Sequence, residues 1–303
     1  MTTRTGYQLS KCLYEGARTE VYRGIPYGHR CRDRSYRVST VIVKILRDSH
    51  PNFTQLVQFR NQYAIARHLE HPNILTPLAL ERYGNGYALI MPDDGAIALN
   101  DYWQQKTPST EEFLEIAIQL ADALHYLGQE QIIHKDIKPA NILICRETKQ
   151  VKLIDFSISS LLPKETQTIQ TVKVLEGTLA YLSPEQTGRM NRGIDYRSDF
   201  YSLGVTFYEL LTGTVPFARN DPLELIHAHI AQIPKPIVSD RIPEVLSEIV
   251  LKLMAKNAED RYQSALGLKY DLVHPGWNNY PVLQAFSKPL NFQLNGWAKR
   301  RLK

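Results

Sequence analysis

The chain has 303 residues, with 36 Lys and Arg against 31 Asp and Glu, a formal charge of +5, and 43% hydrophobic residues. This composition excludes wholesale disorder and collagen-like or low-complexity architecture, and the length suits one large domain or two lobes, each with a real core. Cys12, Cys31 and Cys145 leave an odd count without CxxC spacing, which argues against a disulfide framework or zinc cluster and fits a reducing, cytoplasmic setting. The closest histidine pair, His227 and His229, is spaced i,i+2, so no metal-histidine site is expected. MTTRTGYQLSKC lacks an apolar signal core, and no apolar run reaches the roughly 18 residues that span a bilayer.

In chain order, TEVYRGIPY and STVIVKIL are rich in strand-forming residues, as are TPLALERYG and GYALIMP. Asn85-Gly86 between the last two signals a hairpin. FTQLVQFRNQYAIARHLE places Phe59, Ala66 and Leu69 at helical spacing and is expected to end at His71-Pro72. From about residue 97 helices dominate. Ser109 and Glu112 have the spacing of a capping box before EEFLEIAIQLADALHYLG, and Gly128 is the expected stop. ILIC, a polar turn and VKLID form a short β insertion. Helices follow in DFYSLGVTFYELLTG and PEVLSEIVLKLMAK. The expected order is a β-rich small lobe, then an α-rich large one. The segment after residue 274 has little periodicity. Lys299, Arg300, Arg301 and Lys303 near its end account for most of the positive balance, and the remainder is close to neutral. No aromatic-basic stripe points to nucleic acid.

The chemistry concentrates in His134-Lys135-Asp136-Ile137-Lys138-Pro139-Ala140-Asn141, a polar loop entering the ILIC strand, and in Asp155-Phe156-Ser157 at the end of the next strand. The β pair would hold Asn141 and Asp155 close together. Two oxygen ligands plus phosphate oxygens suit magnesium. Asp136 can accept a hydrogen bond from a hydroxyl nucleophile, and Lys138 can meet a transferring phosphoryl group as a point charge. Ile42, Lys44 and Leu46 share one strand face, and a charge on an apolar face needs a partner. His134 reads as a packed loop histidine.

HKDIKPAN resembles the catalytic loop of protein kinases, DFS their metal-binding DFG, VIVK (41–44) their VAIK strand, and SPE (183–185) the close of their activation segment. The motifs occur in the family's order over residues 7–273. The resemblance implies an α+β, two-lobed kinase fold, with a small lobe over 1–92, a large lobe over 93–274 and a basic tail over 275–303. It implies ATP and Mg2+ as cofactors. Lys44 would bind the α/β-phosphates, Asp136 would be the catalytic base with Lys138 beside it, and Asn141 and Asp155 would hold both nucleotide and metal. Gly16 and Val21 would cover the nucleotide, and Pro92 to Asp94 would form the hinge that reads adenine through backbone groups. Asp199 would brace the catalytic loop, and Arg261 would pair with Glu185. Lys138 and Thr178 resemble the serine/threonine class, so the implied partner is a protein presenting a Ser or Thr hydroxyl. Residues 176–213 are similar to the kinase module that opens very large bacterial sensor proteins, which would make downstream sensor or histidine-kinase components further partners.

The pattern departs from the family in four places. Tyr14 and Thr19 stand where the glycine-rich loop has glycines, which reduces close backbone approach to phosphate. Gln62 aligns with the helix glutamate that pairs with the strand lysine. Ser157 replaces the DFG glycine, at a cost of about 1–2 kcal/mol if φ there is positive. Lys135 in place of arginine weakens a bidentate grip on a loop phosphate. Thr166, Thr168 and Thr171 are the candidate phosphorylation positions of the activation segment. The resulting expectation is a serine/threonine protein kinase acting in intracellular signalling. The alternative is a pseudokinase-type module that binds nucleotide or a partner with weak or no catalysis.

Overall fold

The computed structural model describes residues 6–26, 40–104, 109–161, 164–165, 179–190 and 192–274. Thr166, Thr168, Thr171, Thr178 and the basic tail lie outside the described residues, as does Cys31.

The N-terminal part is a five-stranded antiparallel sheet of order β1-β2-β3-β5-β4. Its strands are β1 (Tyr7–Glu15), β2 (Thr19–Pro26), β3 (Val41–Leu46), β4 (Ala79–Tyr83) and β5 (Gly86–Pro92). β1 has few β-branched residues and no sequence signal of its own; its partner β2 creates it. Side-chain alternation along β3 divides the sheet's two faces. Val41, Val43 and Ile45 pack with Ala88 and Ile90 on one side. Ile42 and Leu46 pack on the other with Phe59, Leu89 and Met91, beneath helix α1 (Phe53–Ala66). Lys44 lies on that second face, as its spacing predicts.

α1 begins with a reciprocal capping box in which the Asn52 side chain accepts from Gln55 N and the Gln55 side chain accepts from Asn52 N. It ends at Ala66, short of the expected His71-Pro72. The β4–β5 hairpin is present, but its two-residue loop is Gly84-Asn85, one position earlier than expected, with Gly84 at φ +56°.

A second, three-stranded sheet, β6-β7-β8, combines Ile97–Ala98, Ile142–Ile144 and Val151–Leu153. Around it lie α2 (Leu99–Gln104) and α3 (Thr110–Gln129). Ser109 caps α3, but Glu112 does not close the box; its carboxylate instead meets Tyr102 and Lys149. Gly128 lies inside α3 rather than stopping it. The left-handed residue is Gln131 at φ +57°, and Ile132 N donates to Leu127 O across the end. This is a Schellman turn without glycine.

Short strands β9 (Lys164–Glu165) and β10 (Ile194–Asp195) pair with each other. The C-terminal part is completed by α4 (Arg197–Thr212), α5 (Pro222–Ala231), α6 (Glu244–Leu253) and α7 (Ala265–Val273). α4 runs through the largest core, which also takes in α3, α5, α6 and α7. A Cβ on Gly204 would fall 2.7 Å from Leu253 Cβ, so glycine is what allows α4 and α6 to approach. The fold is thus sheet-rich first and helical second, an α+β architecture. Among the described residues no helix is long and apolar enough to cross a membrane.

Candidate active site

The site forms where β3, α1, the loop before β7 and the end of β8 converge. Lys44 is buried on β3, opposite Val21 of β2 in the ladder. Its Nζ donates to Gln62 Oε1 on α1 at 3.0 Å and to Asp155 Oδ2 at 2.9 Å. The helix residue in the glutamate's place therefore makes the contact without a second charge. Burial alone would push the Asp155 carboxyl up, but the adjacent Lys44 ammonium holds it down, at about 2.

Asp155 takes φ +67°. The positive φ thus falls on the aspartate, whose short polar side chain tolerates it, and not on Ser157, which is outside the left-handed region. The penalty anticipated for Ser157 does not arise in this conformation.

The loop from His134 to Asn141 is held from beneath. Asp199, at the start of α4, accepts from His134 N and Lys135 N, each at 2.7 Å. Lys135 is itself left-handed, at φ +70°. That strained residue is fixed by Asp199 on one side and by Gln186 Nε2, which donates to Lys135 O at 2.9 Å, on the other. Burial pushes the Asp199 carboxyl up to about 7, against the pull of those two amides. His134 is fully buried, with Nε2 3.0 Å from Ile154 O and Nδ1 accepting from Asp136 N at 3.3 Å. Burial lowers its pKa, which suits a packed, neutral imidazole.

Asp136 projects from this braced loop. Lys138 Nζ spans its two oxygens at 3.0 and 2.8 Å. Asn141 Nδ2 donates to Asp136 O at 2.9 Å and to Oδ2 at 2.7 Å. That orientation leaves the Asn141 side-chain carbonyl as the group to face a cation. Asn141 O accepts from Ile154 N at 2.9 Å, which ties the loop to the residue before Asp155.

Asp155 Oδ1 is buried and has no hydrogen-bond partner. A buried carboxylate oxygen left unpaired is costly, and this one suits a metal ligand. No cluster of three or more His, Cys, Asp or Glu side chains able to hold a metal occurs among the described residues. A divalent cation held by Asp155 and Asn141 would take its other ligands from water and phosphate, which is how magnesium is usually bound.

The turn between β1 and β2 closes through Gly16 N donating to Thr19 O at 2.9 Å, with Arg47 Nη1 donating to Gly16 O at 3.3 Å. Tyr14 lies against Gly16: a Cβ there would fall 2.6 Å from the Tyr14 hydroxyl. Beyond β5, two consecutive carboxylates follow Pro92. Asp93 accepts from Arg23 at 2.5 and 3.2 Å and from Thr40 at 2.7 Å. Burial would raise its pKa, but these donors hold it below the usual carboxylate range. Asp94 pairs instead with Lys152 of β8.

Farther down, Arg261 donates to both Glu185 oxygens at 2.6 and 2.8 Å, in a pair with side chains 0% and 5% exposed. Ser198 adds a third bond to Glu185 at 2.6 Å. Tyr181 donates to Glu209 at 2.6 Å beside this platform.

Lys44 meets Asp155, Asp136 meets Lys138 and Asn141, and Arg261 meets Glu185, whereas Gly16, Pro92 and Asp94 make no hydrogen bond or ion pair to these groups and several supporting residues carry no motif. Gln186 could have been found from the S-x-x-Q spacing of its capping box with Ser183. Asn61, Ser159, Arg23 and Lys152 have no comparable local signal.

The protein kinase domain family model matches residues 9–273. The chain is 36% identical over 283 residues to serine/threonine-protein kinase PknB of Mycobacterium leprae, covering 89% of this chain and 43% of that protein. It is 33% identical over 270 residues to probable serine/threonine-protein kinase CPE1738 of Clostridium perfringens, covering 88% and 38%. PknB of Mycobacterium tuberculosis is 34% identical over 283 residues, covering 88% and 42%. The chain spans about two fifths of the length of these curated relatives. With the family model covering most of its length, the chain belongs to the protein kinase family.

Proposed function

We propose that this chain is the catalytic module of a serine/threonine protein kinase, transferring the γ-phosphate of Mg-ATP to protein hydroxyls in cytoplasmic signalling. The observation that carries the reading is two side-chain sets, Lys44 with Asp155 and Lys138–Asp136–Asn141, the second on a loop whose backbone Asp199 holds and which Asn141 O ties to Ile154 N beside Asp155. Phosphoryl transfer depends mostly on positioning and electrostatics, and these groups supply both. In this reading Lys44 orients the α/β-phosphates, and Pro92 to Asp94 meet the adenine through backbone groups. Gly16 and Val21 cover the nucleotide. Asp136 orients the acceptor hydroxyl and takes its proton, and Lys138 reaches from Asp136 toward the transferring group. A magnesium ion bound by Asn141 and Asp155 would neutralise phosphate charge. The likeness of residues 176–213 to the opening module of large bacterial sensors supports sensor or histidine-kinase components as downstream partners.

Assay of the purified chain with radiolabelled Mg-ATP and a basic acceptor protein, beside Asp136→Ala, tests the proposal. Equal signal from the two proteins would sink it. A second reading, a nucleotide- or partner-binding module with little catalysis, is favoured by the Tyr14 ring against Gly16 and by the uncharged Gln62.

Thermal shift tests the nucleotide step separately. At a hundredfold excess over Kd, Mg-ATP should stabilise the protein by about 2.7 kcal/mol. Asp155→Ala should lose that shift; an undiminished shift would remove Asp155 from the metal site.

Gln62→Glu should raise turnover about tenfold, because a carboxylate adds a second charge opposite the Lys44 ammonium, strengthening the contact by about 1–2 kcal/mol. A fall in turnover would show that Lys44 is best served by the neutral partner.

A further inference from the structure

Asn61 precedes Gln62 on α1 and faces the backbone beyond Asp155. Its Nδ2 donates to Ser157 O at 3.2 Å and to Ser159 O at 3.0 Å. Both partners are carbonyl oxygens, so only the amide nitrogen can face them, and the side-chain orientation is fixed by chemistry. Ser159 is buried, and its hydroxyl donates to His134 O at 3.0 Å. Ser160 and Ile133 exchange backbone bonds at 3.0 Å in each direction. The segment after Asp155 is therefore fastened to the catalytic loop on one side and to α1 on the other, and Asn61 makes the α1 attachment. Asp155 between them is left-handed, a conformation that persists only where its surroundings impose it.

We propose that Asn61 is a positioning residue for the phosphoryl-transfer site, supplying the hold on α1 and on Asp155 that the Gln62–Lys44 contact, with its uncharged acceptor, supplies only in part. The two adjacent residues grip Asp155 from both ends. Gln62 acts through Lys44 on the carboxylate, and Asn61 acts through residues 157–159 on the backbone that sets its φ. The inference rests on the reading of Asp155 as a magnesium ligand. Loss of two hydrogen bonds corresponds to about a tenfold shift in the population of the held conformation.

The test uses the full chain with labelled ATP and a basic acceptor protein, with Mg2+ titrated at saturating ATP. Asn61→Ala and Asn61→Asp, which keeps the shape but has no donor, should each lower kcat about tenfold and raise the Mg2+ concentration for half-maximal activity about tenfold. The acceptor KM should stay within about twofold. The Mg2+ concentration needed for the Mg-ATP thermal shift should rise in parallel. Adding Gln62→Glu to Asn61→Ala should bring kcat up to that of Gln62→Glu alone, a rise well beyond the tenfold expected with Asn61 present, because the charged pair also re-fastens α1. The proposal is overturned if either variant keeps the wild-type Mg2+ dependence, including the case where activity falls only in proportion to a lower Tm. It is also overturned if Gln62→Glu raises activity equally with and without Asn61. Absence of any Mg-ATP shift in the wild-type chain would overturn the kinase reading and this inference together; a normal wild-type shift with unaltered Asn61 variants would overturn this inference alone.

Discussion

Asp136→Asn is expected to cut phosphoryl transfer by about 10²–10⁴, the usual contribution of a positioned general base. Asparagine keeps the shape and one oxygen toward Lys138, but it cannot take a proton from the acceptor hydroxyl. The loop should stay in place, because its backbone is fixed by Asp199 at His134 and Lys135 and by Gln186 at Lys135. Tm and the Mg-ATP thermal shift should therefore change little while turnover collapses. Turnover within tenfold of wild type would mean that positioning by Lys138 and Asn141 carries the reaction without a base.

Arg261→Ala is expected to destabilise the fold by about 3–5 kcal/mol, because it leaves the buried Glu185 carboxylate without its bidentate partner. For a domain of this size that corresponds to a fall in Tm of roughly 10 °C. Arg261 also donates to Arg197 O and Ala255 O, so the loss reaches the start of α4 and the segment after α6. A Glu185→Gln/Arg261→Met double variant should be milder, since no charge is then stranded. The pH dependence follows from the same pair. Burial would raise the Glu185 carboxyl, but Arg261 and Ser198 hold it below the ordinary glutamate value. Its stabilising contribution is present above the unfolded glutamate pKa and is lost as pH falls through the lower folded value. Urea titration at pH 7 and in mild acid should therefore show acid weakening the wild type more than the double variant. Equal acid sensitivity would place the titrating group elsewhere.

Strands β2 to β5, β7 and β8, helices α1, α3, α4 and α6, and the catalytic loop were legible because their signals are local. The alternation along β3 places Lys44 beside Ile42 and Leu46, and the spacing from Asp136 to Asn141 lies within a few residues. What was not legible depends on partners distant in sequence. The end of α3 is a left-handed glutamine, Gln131, three residues beyond Gly128, where a glycine stop was expected. Glu112 has the spacing of a capping box but finds Tyr102 and Lys149 once the chain folds. The cost assigned to Ser157 was moved by the fold onto Asp155, and residue type alone does not reveal which of two neighbours carries a positive φ. Asn61 bonds carbonyls 96 and 98 positions away, beyond the reach of any periodicity.

Asp93 and Asp94, where the chain leaves β5, are held with unequal strength, the first back to the sheet and the second across to β8. Asp93 is bound by Arg23 and Thr40, with its side chain 6% and that of Arg23 36% exposed, whereas Asp94 meets one lysine, with side chains 35% and 24% exposed. Exposed pairs are screened by salt and contribute little, while sheltered, multiply bonded ones persist. The crossing is therefore welded at its upper end and only latched at its lower end. Added salt should weaken the single Lys152–Asp94 pair more than the multiply bonded Asp93 set. The first residue after β5 is therefore tied back to the sheet by several bonds, while the next residue is tied forward to β8 by one exchangeable ion pair.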